Sequence, residues 1–196
     1  MDLAKEYIDN KLLPIIIKIG EKLEGNIFMT NHTIKYSNKF INKVKNINNY
    51  SLNKDNILEI GFNSGFSSVL MLLSNPNCKI TCVDICEHKY TLPCYNQIKK
   101  DFGDRINLII GSSVEVLPTL DDKYDLIHID GCHKVSVAEQ DIINSYKLCK
   151  DGTIIIFDDC HTRKLNILWN KYIELYNLKE MPMLATRYHD IKKVSV

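Results

Sequence analysis

The stretch IDGCHKV, from Ile129 to Val135, places an aspartate, a cysteine and a histidine within four positions, directly after an apolar run. Further along, IIIFDDCH adds Asp158, Asp159, Cys160 and His161. Residues of these types serve a hard metal ion held by carboxylates, a zinc ion held by thiolates and imidazoles, or proton transfer by an imidazole. The zinc sets would be Cys78, Cys82 and Cys86, or Cys132-His133 with Cys160-His161, and neither contains the closely spaced cysteine pair of a zinc site. Cys132 is expected to be a small buried or half-buried bystander, His128 a packed strand residue, and His161 a candidate extra ligand or substrate contact.

A second chemistry lies upstream. In EIGFNSGFSS, Gly61 and Gly65 permit a tight turn and close backbone approach to a ligand, and Ser67 and Ser68 open a helix whose free amides suit an anion. The spacing from Glu59 is E-x-G-x-x-x-G, which matches neither the G-x-G-x-x-G of dinucleotide binders nor a phosphate-binding P-loop. Asp84 follows about 20 residues beyond, where an acid accepts ribose hydroxyls. The GSS of Gly111 to Ser113 offers a hydroxyl to an adenine edge. Together these three loops describe a nucleoside site.

The elements that must carry these residues are legible as a repetition. NILEIG (56 to 61), KITCVD (79 to 84), RINLIIG (105 to 111), YDLIHID (124 to 130) and TIIIFDD (153 to 159) have the length and apolarity of buried strands. GFSSVLMLLS, TLPCYNQIKKDF, SSVEVLPTL and SVAEQDIINSYKLC, lying between them, have helical spacing. Alternation of this kind predicts an α/β fold with a parallel sheet between helices, and ligands outside the carboxyl ends of its strands. Asp130 and the pair Asp158-Asp159 then end neighbouring strands. Three close carboxylates repel one another unless a cation or shared protons compensate, and an oxygen-rich set suits Mg2+, with Mn2+ or Ca2+ as alternatives.

The first 50 residues carry no strand signal. LAKEYIDNKLLPIIIKIGEKL and NHTIKYSNKFINKVKNI read as two helices joined by EGNIFMT, forming a cap of the same domain near the strand ends, with 51–196 as the ligand-binding body. After the helix KLNILWNKYIELYNL, whose Trp169 and tyrosines form an apolar stripe, the tail from Met181 reads as a terminal hairpin completing the sheet.

From about Asn56 to Asp159 the chain resembles the class I S-adenosylmethionine-dependent methyltransferases. ILEIGFNSGFSS is similar to their first motif, CVDI to the second, and IIGSSVEVLPTL to the third as found in the catechol and caffeoyl-CoA O-methyltransferases. The resemblance implies a Rossmann-like, mostly parallel seven-stranded sheet. It also implies that Gly61, Asn63, Gly65 and Ser67 line the methionine part of the cofactor, with Glu59 opening that motif, Asp84 on the ribose, and Ser112 and Ser113 at the adenine. Asp130 borders the cofactor and, with Asp158 and Asp159, matches the metal-binding acids of the cation-dependent branch. IDGCH and FDDCH are similar to segments of a related branch that includes sugar O-methyltransferases. Catechol-type enzymes place a basic lysine three positions after the first metal aspartate, where this chain has His133; with an ordinary pKa of roughly 6.5, His133 suits proton removal from a hydroxyl. Asp130 and His133 are thus the expected catalytic pair.

The expected activity is methyl transfer to a hydroxyl of a small molecule, a sugar slightly before a catechol. Lys plus Arg number 25 against 24 Asp plus Glu among 196 residues, so no global basic field attracts nucleic acid. The alternatives are an N-methyltransferase for nucleic acid or protein on the same fold, and a non-catalytic cofactor-binding protein. DGCH differs from the Asn/Asp-Pro-Pro-Tyr segment typical of enzymes that methylate base amines, which weighs against the first. LLPIIIKIG is too short to span a bilayer and lacks signal-peptide flanks, and the seven cysteines are an odd number that suits free thiols, so a soluble cytoplasmic protein is expected. An exposed apolar face on the cap or hairpin would favour a homodimer.

Overall fold

In the computed structural model, which describes residues 1–30 and 34–195, the five apolar runs form parallel strands: β1 (Asn56–Ile60), β2 (Lys79–Asp84), β3 (Ile106–Ile110), β4 (Tyr124–Ile129) and β5 (Cys149–Asp158). An antiparallel hairpin completes the sheet as expected, though its first strand, β6 (Lys179–Glu180), precedes the tail in which the hairpin was expected and only β7 (His189–Lys193) lies within it. Among the described residues the sheet has the order β3-β2-β1-β4-β5-β7-β6, with β7 antiparallel to β5. The order reverses between β1 and β4, which fixes the ligand crevice at their carboxyl ends.

Helices α4 (Phe66–Ser74), α5 (Thr91–Phe102), α6 (Ser113–Val116), α7 (Val135–Lys147) and α8 (Arg163–Leu175) connect the strands. Two apolar layers result, one on each face of the sheet. Ile57, Ile80 and Ile106 pack with α4, α5 and the cap; Leu58, Ile127 and Phe157 pack with α7 and α8, where Trp169 stacks on Phe157 and donates Nε1–H to Asp190 at 2.8 Å. The large apolar area removed from water on both faces is the main source of stability.

The cap consists of α1 (Asp2–Tyr7), a π-helical turn (Ile8–Leu12), α2 (Leu13–Ile19) and α3 (Ile41–Ser51). The first expected helix is present, with Pro14 tolerated at the start of α2 and Gly20 at φ 73 ending it. The second is shorter than its sequence reading. Residues 34–37 are not helical: Met29 bridges Tyr36, and Ser37 caps the 3₁₀ turn that leads into α3. Positions 31–33, where the second helix was expected to begin, lie outside the described residues. The cap shares its core with the sheet: Ile8, Leu12, Ile16, Val44 and Ile47 belong to the same apolar cluster as β1 and α4.

Candidate active site

Gly61 follows β1 at φ 94, with its amide on Val83 carbonyl and the amide of Asp130 on Ile60 carbonyl, both at 2.9 Å. An added Cβ would overlap the carbonyl oxygen of Asp130, so only glycine allows the first and fourth strand ends to approach this closely. Asn63 and Gly65 continue the loop at φ 53 and 77. Asp84 ties this loop down: its carboxylate accepts the amides of Asn63 (2.8 Å) and Cys86 (2.6 Å).

These loops wall a cleft of about 420 Å³ lined by Gly61, Asn63, Asp84, Ser112, Ser113, Asp130 and Cys132. The volume suits a nucleotide-sized ligand. A second cleft of about 230 Å³ adjoins it, lined by Ser67, His133 and the cap segment Glu24 to Ile27, and shares Gly61, Asn63, His88, Asp130 and Gly131 with the first. The cap loop is anchored there by Asn63 Nδ2, which donates to Glu24 carbonyl at 2.8 Å, and by Glu21, which holds His88 and the amide of Lys89 at 2.8 Å each. Two residues that line the clefts each keep one buried polar atom without a hydrogen-bond partner among the described residues: Asn26 Nδ2, a donor, and Asn63 Oδ1, an acceptor. A buried amide group left so is costly unless a ligand or water meets it. The expected cofactor residues therefore border the clefts, with two exceptions. Gly65 sits behind, where an added Cβ would meet Phe62 and Ile98, and serves the turn. Glu59 is fully buried under the strand ends, accepting from Ser68 hydroxyl and lying 3.2 Å from His128 Nδ1; it organises the interior and does not face the ligand space.

At the ends of β4 and β5 the three acids lie in two groupings that share Asp130. One joins His128, Asp130 and Asp158; the other joins Asp130, His133 and Asp159, with ligand atoms within 4.8 Å in each. Asp159 has a backbone φ of 59 and takes His133 Nε2 at 2.6 Å, with His161 Nδ1 3.7 Å away. The hydrogen bond to Asp159 holds the His133 imidazolium above the usual imidazole range despite partial burial. Cys132 proves exposed rather than buried, because the turn after β4 faces the cleft. His128 is a packed strand residue, as expected.

The residue that sequence reading missed is Lys43. It lies on the buried side of α3, only 6% exposed, and its ammonium contacts Asp158 and lies 3.7 Å from Asp130. Burial works against its charge, but Asp158 and Asp130 together hold the lysine protonated. Burial would raise Asp130, yet Lys43 and His128 bring it down to about 2. Asp158, deeper, is pushed well above the carboxylate range by burial and by the charge on Asp130. Below Asp158 stands His189, buried and pushed down to about 3 by burial and by Lys43. Its Nε2 accepts from Asn46 Nδ2 at 3.0 Å, because an amide nitrogen only donates and this one, oriented by the Leu184 amide on Asn46 Oδ1, gives one hydrogen to Leu184 carbonyl and the other to His189; Nδ1 therefore carries the proton, 3.9 Å from Asp158 Oδ1.

The three expected metal acids do not fit a divalent ion as one set. The space between Asp130 and Asp158 already faces an ammonium group, and Asp159 turns to His133.

Residues 58–160 match a protein family described as "Methyltransferase domain". The "Bifunctional methyltransferase" of Rickettsia bellii (strain RML369-C) is 38% identical over 77 residues, 39% of this chain and 14% of that protein, so the match spans a small part of the relative's length. Solved structures share the fold at low identity. A "putative caffeoyl-CoA O-methyltransferase from Staphylococcus aureus" has a TM-score of 0.66 at 18% identity, covering 100% of each chain. The "SAH-bound Podospora anserina methyltransferase PaMTH1" has 0.64 at 18%, covering 78% of this chain and 76% of that one. CalS11, a "TDP-rhamnose 3'-o-methyltransferase", has 0.61 at 14%, covering 80% and 81%.

Proposed function

The chain belongs to the methyltransferase-domain family matched over residues 58–160, and from that premise we propose that it transfers the methyl group of S-adenosylmethionine to a hydroxyl of a small molecule, a sugar-containing metabolite before a catechol. The observation that carries the reading is the His133–Asp159 pair at 2.6 Å, standing beside the cleft that the glycine loop and Asp84 wall. It is the arrangement of an oriented general base. Two structural neighbours bear the names caffeoyl-CoA and TDP-rhamnose O-methyltransferase, which supports oxygen as the acceptor atom.

Bound S-adenosylmethionine would supply an electrophilic methyl: the acceptor oxygen forms the new C–O bond as the C–S pair leaves with the thioether. The chain supplies the rest. With Nε2–H given to Asp159, the neutral His133 ring keeps its lone pair on Nδ1, the atom that takes the acceptor's hydroxyl proton. Asp159 then stabilises the imidazolium that forms. Gly61 and the Asp84-tethered loop position the donor, and the cap loop Glu24 to Ile27 closes the acceptor side; much of the rate comes from this alignment.

A second reading rests on the grouping of Asp130, His133 and Asp159, which offers one ligand atom each within 4.8 Å. A divalent ion held there would occupy His133 and remove it as base. Formation of S-adenosylhomocysteine with panels of sugars and catechols, in chelator and in Mg2+, separates the readings. Turnover in chelator supports the His133 base. Turnover only with Mg2+ moves His133 into a ligand role.

A further inference from the structure

We infer that Lys43 is the built-in cation of this site, a positioning residue that takes the place the sequence predicts for a divalent metal and makes methyl transfer independent of one. The inference rests on the methyl-transfer reading for its activity arm only. Lys43 comes from the cap, not from the sheet, and enters between the ends of β4 and β5 where the expected ion would bridge Asp130 and Asp158. A lysine is seldom buried without a specific partner, and its side chain here is 8% exposed with both partners at the site. A metal on the same two acids would need oxygen atoms at about 2.0–2.6 Å, the space in which the ammonium stands, and the two cations would repel.

Two imidazoles adjoin the ammonium: His128, whose Nε2 stands 4.0 Å from Asp130 Oδ2 on the sheet side, and His189 beyond Asp158. His189, whose proton is directed by Asn46 to Nδ1, lies 3.9 Å from Asp158 Oδ1, outside hydrogen-bond reach, and being neutral adds no further cation. Asp130, about a quarter exposed, is held ionised and in place at the mouth of both clefts, so Lys43 acts on the reaction through Asp130 without meeting the acceptor itself. Removing the ammonium leaves two facing acids and a hole between them, which is a vacancy for an ion. A structural lysine would predict lost stability alone; a cation surrogate predicts that a metal can replace it.

The test uses the full chain stripped with chelator and titrated with Mn2+ alone, followed by electron paramagnetic resonance, alongside turnover in chelator. The wild type is expected to bind no stoichiometric Mn2+ and to keep its turnover. Lys43→Ala is expected to lose about a hundredfold in kcat in chelator, with unchanged cofactor affinity, to bind one Mn2+, and to regain turnover in Mg2+ or Mn2+. Lys43→Arg, which keeps the charge if the smaller variant fails to fold, should stay chelator-resistant. Stoichiometric Mn2+ on the wild type overturns the inference, as does a folded Lys43→Ala with wild-type kcat in chelator. Failure of the wild type to bind S-adenosylmethionine by calorimetry would instead sink the methyl-transfer reading, and the Mn2+ titration would still decide the role of Lys43.

Discussion

At the scale of single residues, His133 and Asp159 should behave as one unit. Because Asp159 raises the pKa of His133, the free base is depleted at low pH and activity should rise through a midpoint above the ordinary imidazole value. Asp159→Asn removes the charge, so the midpoint of the kcat/KM profile should fall toward that of free histidine while the rate drops. His133→Ala should cost about 10²–10⁴ in kcat with little change in cofactor affinity; unchanged turnover at neutral pH would reject its role. Asp141 gives a prediction about stability. It lies on α7 with both carboxylate oxygens buried, and burial raises it to about 6, an interaction with the Ser113 hydroxyl, too loose to be a full hydrogen bond, opposing only in part. The folded state therefore holds this proton more tightly than the unfolded chain. Its contribution is intact below the ordinary carboxylate range and is lost as pH rises through about 6. Asp141→Asn should then stabilise the fold at neutral pH by up to about 3 kcal/mol and change little in acid, as measured by urea unfolding at the two pH values. Asp158, expected from sequence as a ligand, is also in contact with the Lys43 ammonium; that contact depends on a helix far away in the chain, which no local pattern announces.

At the scale of elements, the strands were readable because each is a short, nearly continuous apolar run, as a sheet covered on both faces requires. β2 and α5 match their sequence limits, while β5 starts earlier, at Cys149, because a register shift opposite Tyr124 lets the chain begin pairing before its apolar run. The cap was read less well. Residues 34–37 of its expected second helix are not helical: Asn26 Oδ1 caps the amides of Phe28 and Met29, and Met29 bridges Tyr36, a tertiary arrangement. The one clue to Lys43 was positional: it adjoins Val44 and lies one turn before Ile47 on the packed side of α3, where a solvated lysine does not belong. Two predictions belong here. Gly61→Ala forces the β1 and β4 ends apart and should destabilise by about 1–3 kcal/mol, with cofactor binding lost in calorimetry of whatever remains folded. Lys43→Met leaves Asp130 and Asp158 facing each other and should cost about 3–5 kcal/mol by denaturant unfolding, while adding Asp158→Asn should restore much of that loss.

At the scale of the whole molecule, the cap, the glycine loop and the strand ends wall two adjoining clefts, so the proposed activity draws on the cap as well as the sheet. The walls of the larger cleft were legible, since Gly61, Asp84 and the Ser112–Ser113 turn follow successive strands at recognisable spacing. The smaller cleft was not, because the cap loop Glu24 to Ile27 that walls it consists of residue types without chemistry until the fold brings them together. Among the described residues no helix is long and apolar enough to cross a membrane. The measurement that bears most directly on the central claim is transfer of an isotopically labelled methyl from S-adenosylmethionine to a panel of sugars and catechols, read as the mass of the acceptor with stoichiometric S-adenosylhomocysteine. A labelled O-methyl product formed by the wild type and absent with His133→Ala is the predicted result. Tight binding of the cofactor with no labelled oxygen on any acceptor, or label found on nitrogen, would contradict it.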